Sequence, residues 1–111
     1  MQRYVAVVGS GTCSAQEAAA AEQIGSLLAR AGAVVVCGGL SGVMEAACRG
    51  ARREGGLTVG ILPGSERSAA NPHVAVAIAT GLGELRNGLV VRAADAVVAA
   101  EDRLSLPELA A

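Results

Sequence analysis

The sequence predicts an α/β fold, a three-layer Rossmann-like parallel sheet with helices on both faces. Short β-branched runs alternate with longer segments whose apolar residues recur at helical spacing. The first two strands each end in a glycine-rich turn that opens a helix, as in parallel βα units. With 111 residues, the chain has the length of one domain. We therefore expect a single domain over residues 1–111, which is small for a complete doubly wound sheet.

The first βα unit opens the chain. Tyr4 to Val8 predicts a strand, and the turn after it begins Gly9-Ser10-Gly11. Ser14 and Glu17 have the spacing of a capping box, so a helix is expected to begin there. Gly32 follows its last apolar residue and predicts its end.

The second βα unit has the more distinctive turn. Val34 to Val36 predicts a buried strand, which Gly38-Gly39 ends, and Ser41 is the expected N-cap of the next helix. The apolar stripe of that helix comprises Val43, Ala47 and Ala51, with Met44 and Cys48 beside it.

Three further elements follow in the second half. Thr58 to Leu62 predicts a third strand, residues 65–72 a polar loop, and Val74 to Ile78 a fourth strand. Thr80 to Ala93 predicts a third helix and Ala96 to Ala99 a fifth strand. The residues expected to face inward from that helix are Leu82, Leu85 and Leu89.

Composition excludes several classes of function. Tyr4 is the one aromatic residue, all nine basic residues are arginine, and the net charge is -1. Neither a basic nucleic-acid surface nor a polybasic membrane patch is therefore expected. A chain without lysine has no P-loop lysine and no Schiff-base lysine, which excludes Walker-type ATPases and pyridoxal enzymes.

The cysteines and the apolar runs predict a cytoplasmic protein. Cys13, Cys37 and Cys48 fit no zinc-binding spacing, so free thiols in a reducing compartment are expected, and no metal site. No apolar run approaches the ~20 residues that span a bilayer.

The two glycine turns are the candidate binding site. Free N–H groups at a helix N-terminus favour an anion, and in parallel sheets such turns share the carboxyl edge of the strands. A tight turn that binds nothing is the alternative for either turn alone. A nicotinamide dinucleotide is disfavoured, because only two glycines of the GxGxxG pattern are present and Cys37-Gly38-Gly39 stands where the ribose-binding acid is expected.

Five segments resemble the Lonely Guy-like (SLOG) superfamily of Rossmann-fold nucleotide-binding proteins, in a branch similar to molybdenum-cofactor carrier proteins. The matching segments are VAVVGSGT, GGLSGVMEAACRGARREGGLTVGILPG, NPHV, TGLGELRN and VVRAADAVVA. They extend from Val5 to about Ala100.

The resemblance implies a phosphate-bearing ligand at the turns, with Arg86 and Asn87 beside it. The binding residues implied by the resemblance are Gly38, Gly39, Ser41, Gly42, Val43 and Met44, to which the first glycine turn adds Gly9, Ser10, Gly11 and Thr12 as candidates. In the phosphoribohydrolase branch, Arg86 matches an arginine that works with a catalytic glutamate, which Glu108 matches if one residue is deleted. The Gly-Gly-x-Gly-Thr turn before that glutamate is missing here, because residues 101–108 read EDRLSLPE.

Three hypotheses follow from this resemblance. The first is binding of a nucleotide or of the molybdenum cofactor, with no cofactor required for catalysis. The second is hydrolysis of a nucleoside 5′-monophosphate to base and ribose 5-phosphate, with Arg86 and Glu108 as catalytic residues; a lysine decarboxylase is not supported. The third is a non-catalytic partner subunit. The family's last strand and helices have no counterpart here, so a homo-oligomer, dimeric or larger, is expected to cover the sheet.

Overall fold

The computed structural model describes residues 2–100, which form a five-stranded, fully parallel sheet. Its strands are β1 (Tyr4–Val8), β2 (Val34–Cys37), β3 (Thr58–Leu62), β4 (Val76–Ala79) and β5 (Ala96–Ala99). Its α-helices are α1 (Ala15–Arg30), α2 (Val43–Arg53) and α3 (Arg86–Arg92), with short 3₁₀ turns at Arg67–Ala69 and Gly83–Leu85. The α/β prediction is confirmed.

The strand order explains why helices cover both faces. The sheet runs β4-β3-β2-β1-β5, so the chain steps to one side from β1 to β4 and then returns to the other side of β1. Right-handed crossovers place their helices on opposite faces when the direction of travel reverses. Accordingly, Val7 and Val35 pack with α1 and α2, while Ala6 and Val36 pack with Val90 of α3.

The caps of α1 form as the sequence predicts. The N–H of Glu17 donates to Ser14 Oγ at 3.0 Å, and the N–H of Ser14 donates to a Glu17 carboxylate oxygen at 2.9 Å. Gly32 has a φ of 82°, which ends the helix in a conformation that glycine adopts readily. Local sequence therefore sets both ends of α1.

Helices α1 and α2 are in backbone contact at two glycines. A Cβ on Gly50 would lie 2.8 Å from the carbonyl carbon of Glu22 and 3.0 Å from the amide nitrogen of Ser26. A Cβ on Gly25 would lie 2.8 Å from the carbonyl carbon of Ala47. No side chain fits at either position without moving a backbone, so these glycines set the distance between the helices.

The third helix is shorter than predicted, and the prediction of its inward face is wrong. Gly81 and Gly83 have φ values of 66° and 62°, so the backbone cannot become helical at Thr80, and α3 begins at Arg86. Leu82, Leu85 and Leu89 are 47%, 76% and 42% exposed. Arg86 and Val90, one helical turn apart, are buried instead.

The fourth strand begins later than the sequence predicts. Strand β4 begins at Val76 rather than Val74, because the N–H of Val74 donates to the Asn71 carbonyl at 3.2 Å within a turn. Within residues 2–100, no helix is both long enough and apolar enough to cross a membrane.

Candidate functional site

A cavity of about 450 Å³ lies at the carboxyl end of the sheet, between the glycine turns and the start of α3. This volume is within the ~300–1,000 Å³ usual for small-molecule sites. Its lining residues are Val7, Val8, Gly9, Gly11, Gly38, Leu40, Met44, Glu84, Arg86, Asn87, Val90 and Val91. The cavity thus has apolar walls, exposed glycine backbone and one group of polar side chains.

The first glycine turn is hydrogen-bonded to the start of α2. The N–H of Val43 donates to the Ser10 carbonyl at 3.0 Å, and the Ser41 hydroxyl donates to the Gly11 carbonyl at 2.9 Å. A Cβ on Gly9 would lie 2.7 Å from Cγ1 of Val43. The two turns therefore form one rigid unit, in which the Val43 N–H already has a protein partner.

The predicted N-cap of α2 is wrong. Gly42 occupies the N-cap position with a φ of 70°, and no side chain caps the helix. Its α-carbon lies so close to the backbone of Ser10 and Gly11 that a side chain there would overlap them. Ser41 consequently points across to the first turn and joins the two turns instead of capping its own helix.

Gly39 belongs to the packing of the sheet rather than to the cavity wall. Its φ is 80°, and a Cβ there would lie 2.7 Å from Cδ2 of Leu62 and 3.2 Å from the α-carbon of Gly60. Its carbonyl accepts the Asn71 N–H at 2.9 Å, and the Asn71 side chain donates to the Leu40 carbonyl at 2.8 Å. Asn71, which was not singled out from the sequence, ties the loop after β3 to the second turn.

Arg86 is the most unusual group at the site. Only 6% of the residue is exposed, and the buried Nε has no hydrogen-bond partner. Nη1 donates to Oδ1 of Asn87. The Nη2 end lies beside Gly38, where a Cβ would be 2.7 Å from both Nη2 and the sulfur of Met44. Within residues 2–100, none of the ion pairs includes Arg86, so a buried positive charge faces the cavity without a counterion.

Glu84 and Asn87 orient the guanidinium of Arg86. Nδ2 of Asn87 donates to the Glu84 carboxylate at 3.2 Å. Because a carboxylate only accepts, the Asn87 amide must turn its oxygen toward Arg86. Glu84 was not predicted from the sequence to be a site residue, although it lies two residues before Arg86 in the GELRN segment.

The structure divides the predicted binding residues into two groups. Those that line the cavity are Gly9, Gly11, Gly38, Met44, Arg86 and Asn87. Those that do not line it, and instead support or adjoin the turns, are Ser10, Thr12, Gly39, Ser41, Gly42 and Val43. Glu108 and the turn at residues 101–108 lie outside the described residues.

Metal ligands are not gathered at this site. Between residues 2 and 100, no group of three or more histidine, cysteine or acidic side chains is arranged to hold a metal ion. The charged and amide side chains that line the cavity are Glu84, Arg86 and Asn87.

A family comparison defines the class of protein. The model of the SLOG cluster4 family matches residues 2–105. The chain therefore belongs to the SLOG cluster4 family, in agreement with the resemblance seen in the sequence.

Two solved structures that are similar to this chain are molybdenum-cofactor proteins. The molybdenum cofactor binding protein of Rippkaea orientalis is 38% identical with a TM-score of 0.89, over 99% of this chain and 69% of that one. The molybdenum cofactor carrier protein of Chlamydomonas reinhardtii is 29% identical with a TM-score of 0.80, over 97% and 69%.

A curated relative is longer than this chain. An uncharacterized protein of Archaeoglobus fulgidus is 39% identical over 94 residues, which are 85% of this chain and 62% of the relative. The chain thus spans somewhat less than two thirds of that relative's length.

Proposed function

We propose that the chain binds a phosphate-bearing nucleotide or nucleotide-like cofactor in the cavity, with Arg86 as the partner of its anionic group. The observation that carries this proposal is the buried guanidinium with an unpartnered Nε. Burying a charge without a counterion is costly, and buried donors almost always have acceptors. A ligand phosphate would satisfy both needs.

The arrangement around Arg86 favours a planar, two-point contact. Asn87 occupies Nη1, and the buried Nε has no protein acceptor, so a ligand would reach the Nε and Nη2 edge of the guanidinium through a small movement of the side chain. Arginine binds phosphate oxygens through two parallel N–H donors when such an edge is free. The glycines at positions 9, 11 and 38 let the rest of the phosphate approach the backbone closely.

The remaining walls suit a ring system with polar edges. Val8, Val90 and Val91 provide apolar contact, and Glu84 provides a carboxylate that accepts hydrogen bonds from a ligand N–H or O–H. The molybdenum cofactor is a candidate because two similar structures are named for binding or carrying it. A nucleoside monophosphate is the second candidate, on the phosphate chemistry of the site.

Hydrolysis of an N-glycosidic bond would need a second catalytic group. That role was predicted for Glu108, which lies outside the described residues, while Glu84 is the acidic side chain that lines the cavity. Binding is therefore the function that the geometry supports best, and catalysis becomes an outcome of the same experiment.

The test is calorimetry with the molybdenum cofactor, AMP, GMP, ribose 5-phosphate and inorganic phosphate, with released base assayed in the nucleotide samples. Saturable binding is expected for at least one ligand, without base release. Loss of charge-assisted hydrogen bonds should weaken binding to Arg86→Ala by about 1.5–3 kcal/mol. Arg92→Ala is the matched control, because Arg92 is exposed at the other end of α3.

The other outcomes separate the competing hypotheses. Unchanged affinity in Arg86→Ala would remove Arg86 from the site. Base release that Glu108→Ala abolishes would establish the hydrolase. Absence of binding to every ligand, the molybdenum cofactor included, would overturn the proposal. In that case, aggregation of the isolated chain on size exclusion would favour the partner-subunit hypothesis.

A further inference from the structure

Two buried cysteines face each other directly behind the second glycine turn. Cys37 is the last residue of β2 and Cys48 lies on α2, and both are fully buried. Their sulfur atoms are 3.5 Å apart. Both thiols are free, as is that of the partly exposed Cys13.

The surroundings make the two thiols chemically different. The N–H of Gly39 donates to the Cys37 sulfur at 3.3 Å, the Cys48 sulfur lies within hydrogen-bond distance of it, and the Arg86 cation lies nearby. These contacts lower the pKa of Cys37, with the Cys48 hydrogen bond as the largest cause. The same hydrogen bond, together with burial, raises the pKa of Cys48. The Gly39 N–H and the Arg86 charge both favour a thiolate on Cys37, so Cys37 is the expected nucleophile of the pair.

We propose that Cys37 and Cys48 are a reversible oxidative modification site, where a hydroperoxide converts the two thiols to a disulfide. A disulfide has an S–S length of about 2.05 Å, so the sulfurs must approach by roughly 1.5 Å. This approach requires rotation of the two cysteine side chains. Neither cysteine needs to cross the core.

The chemistry balances in two steps. The Cys37 thiolate attacks one peroxide oxygen, the O–O bond breaks, and the leaving hydroxide takes a proton to become water, which leaves a sulfenic acid on Cys37. The Cys48 sulfur then attacks the Cys37 sulfur, the S–O bond breaks, and a second water leaves with the Cys48 proton. Two electrons pass from the sulfurs to the peroxide.

The position of the pair couples it to the cavity. Cys37 directly precedes Gly38, which lines the cavity. The Cys37 sulfur accepts a hydrogen bond from the N–H of Gly39. Drawing that sulfur toward α2 would alter this hydrogen bond to the turn beside Arg86. Ligand affinity should therefore differ between the reduced and oxidised chain, a consequence that rests on the proposed function.

The experiment treats the full chain with hydrogen peroxide, quenches, unfolds, alkylates and digests with trypsin. Because the chain has no lysine, residues 31–49 form one tryptic peptide that contains both cysteines. The expected product is this peptide, unalkylated and two hydrogen atoms lighter, and a thiol reductant should reverse the change. Two of the three thiols should be lost, with Cys13 still alkylated.

Variants test the order of the steps. Cys48→Ala should trap a sulfenic acid on Cys37, and Cys37→Ala should leave Cys48 unreacted. Cys13→Ala is the matched control and should oxidise like the parent chain. Oxidation of Cys13 in preference to the pair, or a disulfide between chains, would overturn the inference.

The mass measurement needs no ligand, so disulfide formation and ligand binding can each be contradicted without the other. An intact thiol pair after peroxide treatment would overturn the disulfide and leave cofactor binding standing. Disulfide formation in a chain whose reduced form binds none of the tested ligands would overturn the proposed function alone. Equal ligand affinity before and after oxidation would overturn the coupling.

Discussion

The two faces of the sheet are built in opposite ways. On one face, α1 and α2 lie over the central strands and touch each other's backbone at Gly25 and Gly50. On the other face, the seven residues of α3 bury Arg86 and Val90 and leave space for the cavity. The first face therefore supplies packing, and the second supplies a site.

The exposed side chains show the same contrast. Val76 and Ile78 of β4 and Val97 of β5 are register neighbours of residues in the core beneath α3, yet each is more than two fifths exposed. Close packing provides most of the favourable contacts of a folded chain. The difference indicates that substitutions on the two faces should affect stability and binding separately, which the following substitutions test.

Gly50→Ala should give the largest effect. The new methyl group would overlap the backbone of Glu22, so α1 and α2 must separate, at a cost of about 3 kcal/mol in the free energy of unfolding. Urea denaturation measures the loss. A change below ~0.5 kcal/mol, the scale of ordinary surface substitutions, would contradict the close helix contact.

Arg86→Leu, on the other face of the sheet, should raise the free energy of unfolding instead of lowering it. Removing a buried donor without a partner should raise the free energy of unfolding by about 1–2 kcal/mol while ligand binding is lost. Urea denaturation and calorimetry on the same preparation test both effects. Destabilisation together with unchanged binding would show that the guanidinium serves packing instead.

Gly88→Ala is the counterpart of Gly50→Ala on α3. Both glycines are within helices, but a Cβ on Gly88 meets nothing within 4 Å. Alanine should therefore add helix propensity alone and stabilise the chain by roughly 0.5–1 kcal/mol. Thermal denaturation measures the gain. Destabilisation would mean that Gly88 is closely packed against another part of the chain.

The smallest expected effect is a change in the pH dependence of stability, caused by Glu22 at the edge of the contact between α1 and α2. Glu22 accepts a hydrogen bond from Arg49 at 2.9 Å and pairs with Arg53. The Arg49 hydrogen bond, with the charges of both arginines, lowers the pKa of Glu22 below its ordinary value of 4.5. This carboxylate thus adds stability above about pH 4.5, which is lost as pH falls through the lowered pKa.

Glu22→Gln should accordingly flatten the acid side of the stability profile. Denaturation midpoints between neutral and acidic pH measure it, with Glu66→Gln at an exposed loop position as the control. An identical pH slope in Glu22→Gln and the parent chain would show that the ion pairs do not couple to folding.

Local signals predicted most of the fold. The bounds of β1, β3 and β5 agree with the β-branched runs, and the Ser14 capping box begins α1 as expected. The inward face of α3 could not be predicted, because nothing local distinguishes a glycine inside a helix from one with positive φ, such as Gly83. The role of Gly50 depends on a partner helix 28 residues earlier in the chain, at Glu22.

The candidate site was predictable in part. The position of both glycine turns follows from parallel topology, and Arg86 from the family resemblance. Ser41 was misassigned because an N-cap residue and a residue that bridges two turns share the same polar character. Glu84 became apparent only from its hydrogen bond to Asn87.

The strand order also decides when the cavity can exist during synthesis. Residues 4–62 supply β1, β2 and β3 with α1 and α2, a set of consecutive neighbours that can pack as it leaves the ribosome. Arg86 comes later, on a helix whose Val90 packs on residues of β1, β2 and β3. A nascent chain therefore has both glycine turns well before it has their cation, so a ligand that needs Arg86 could bind only after α3 has packed on the sheet.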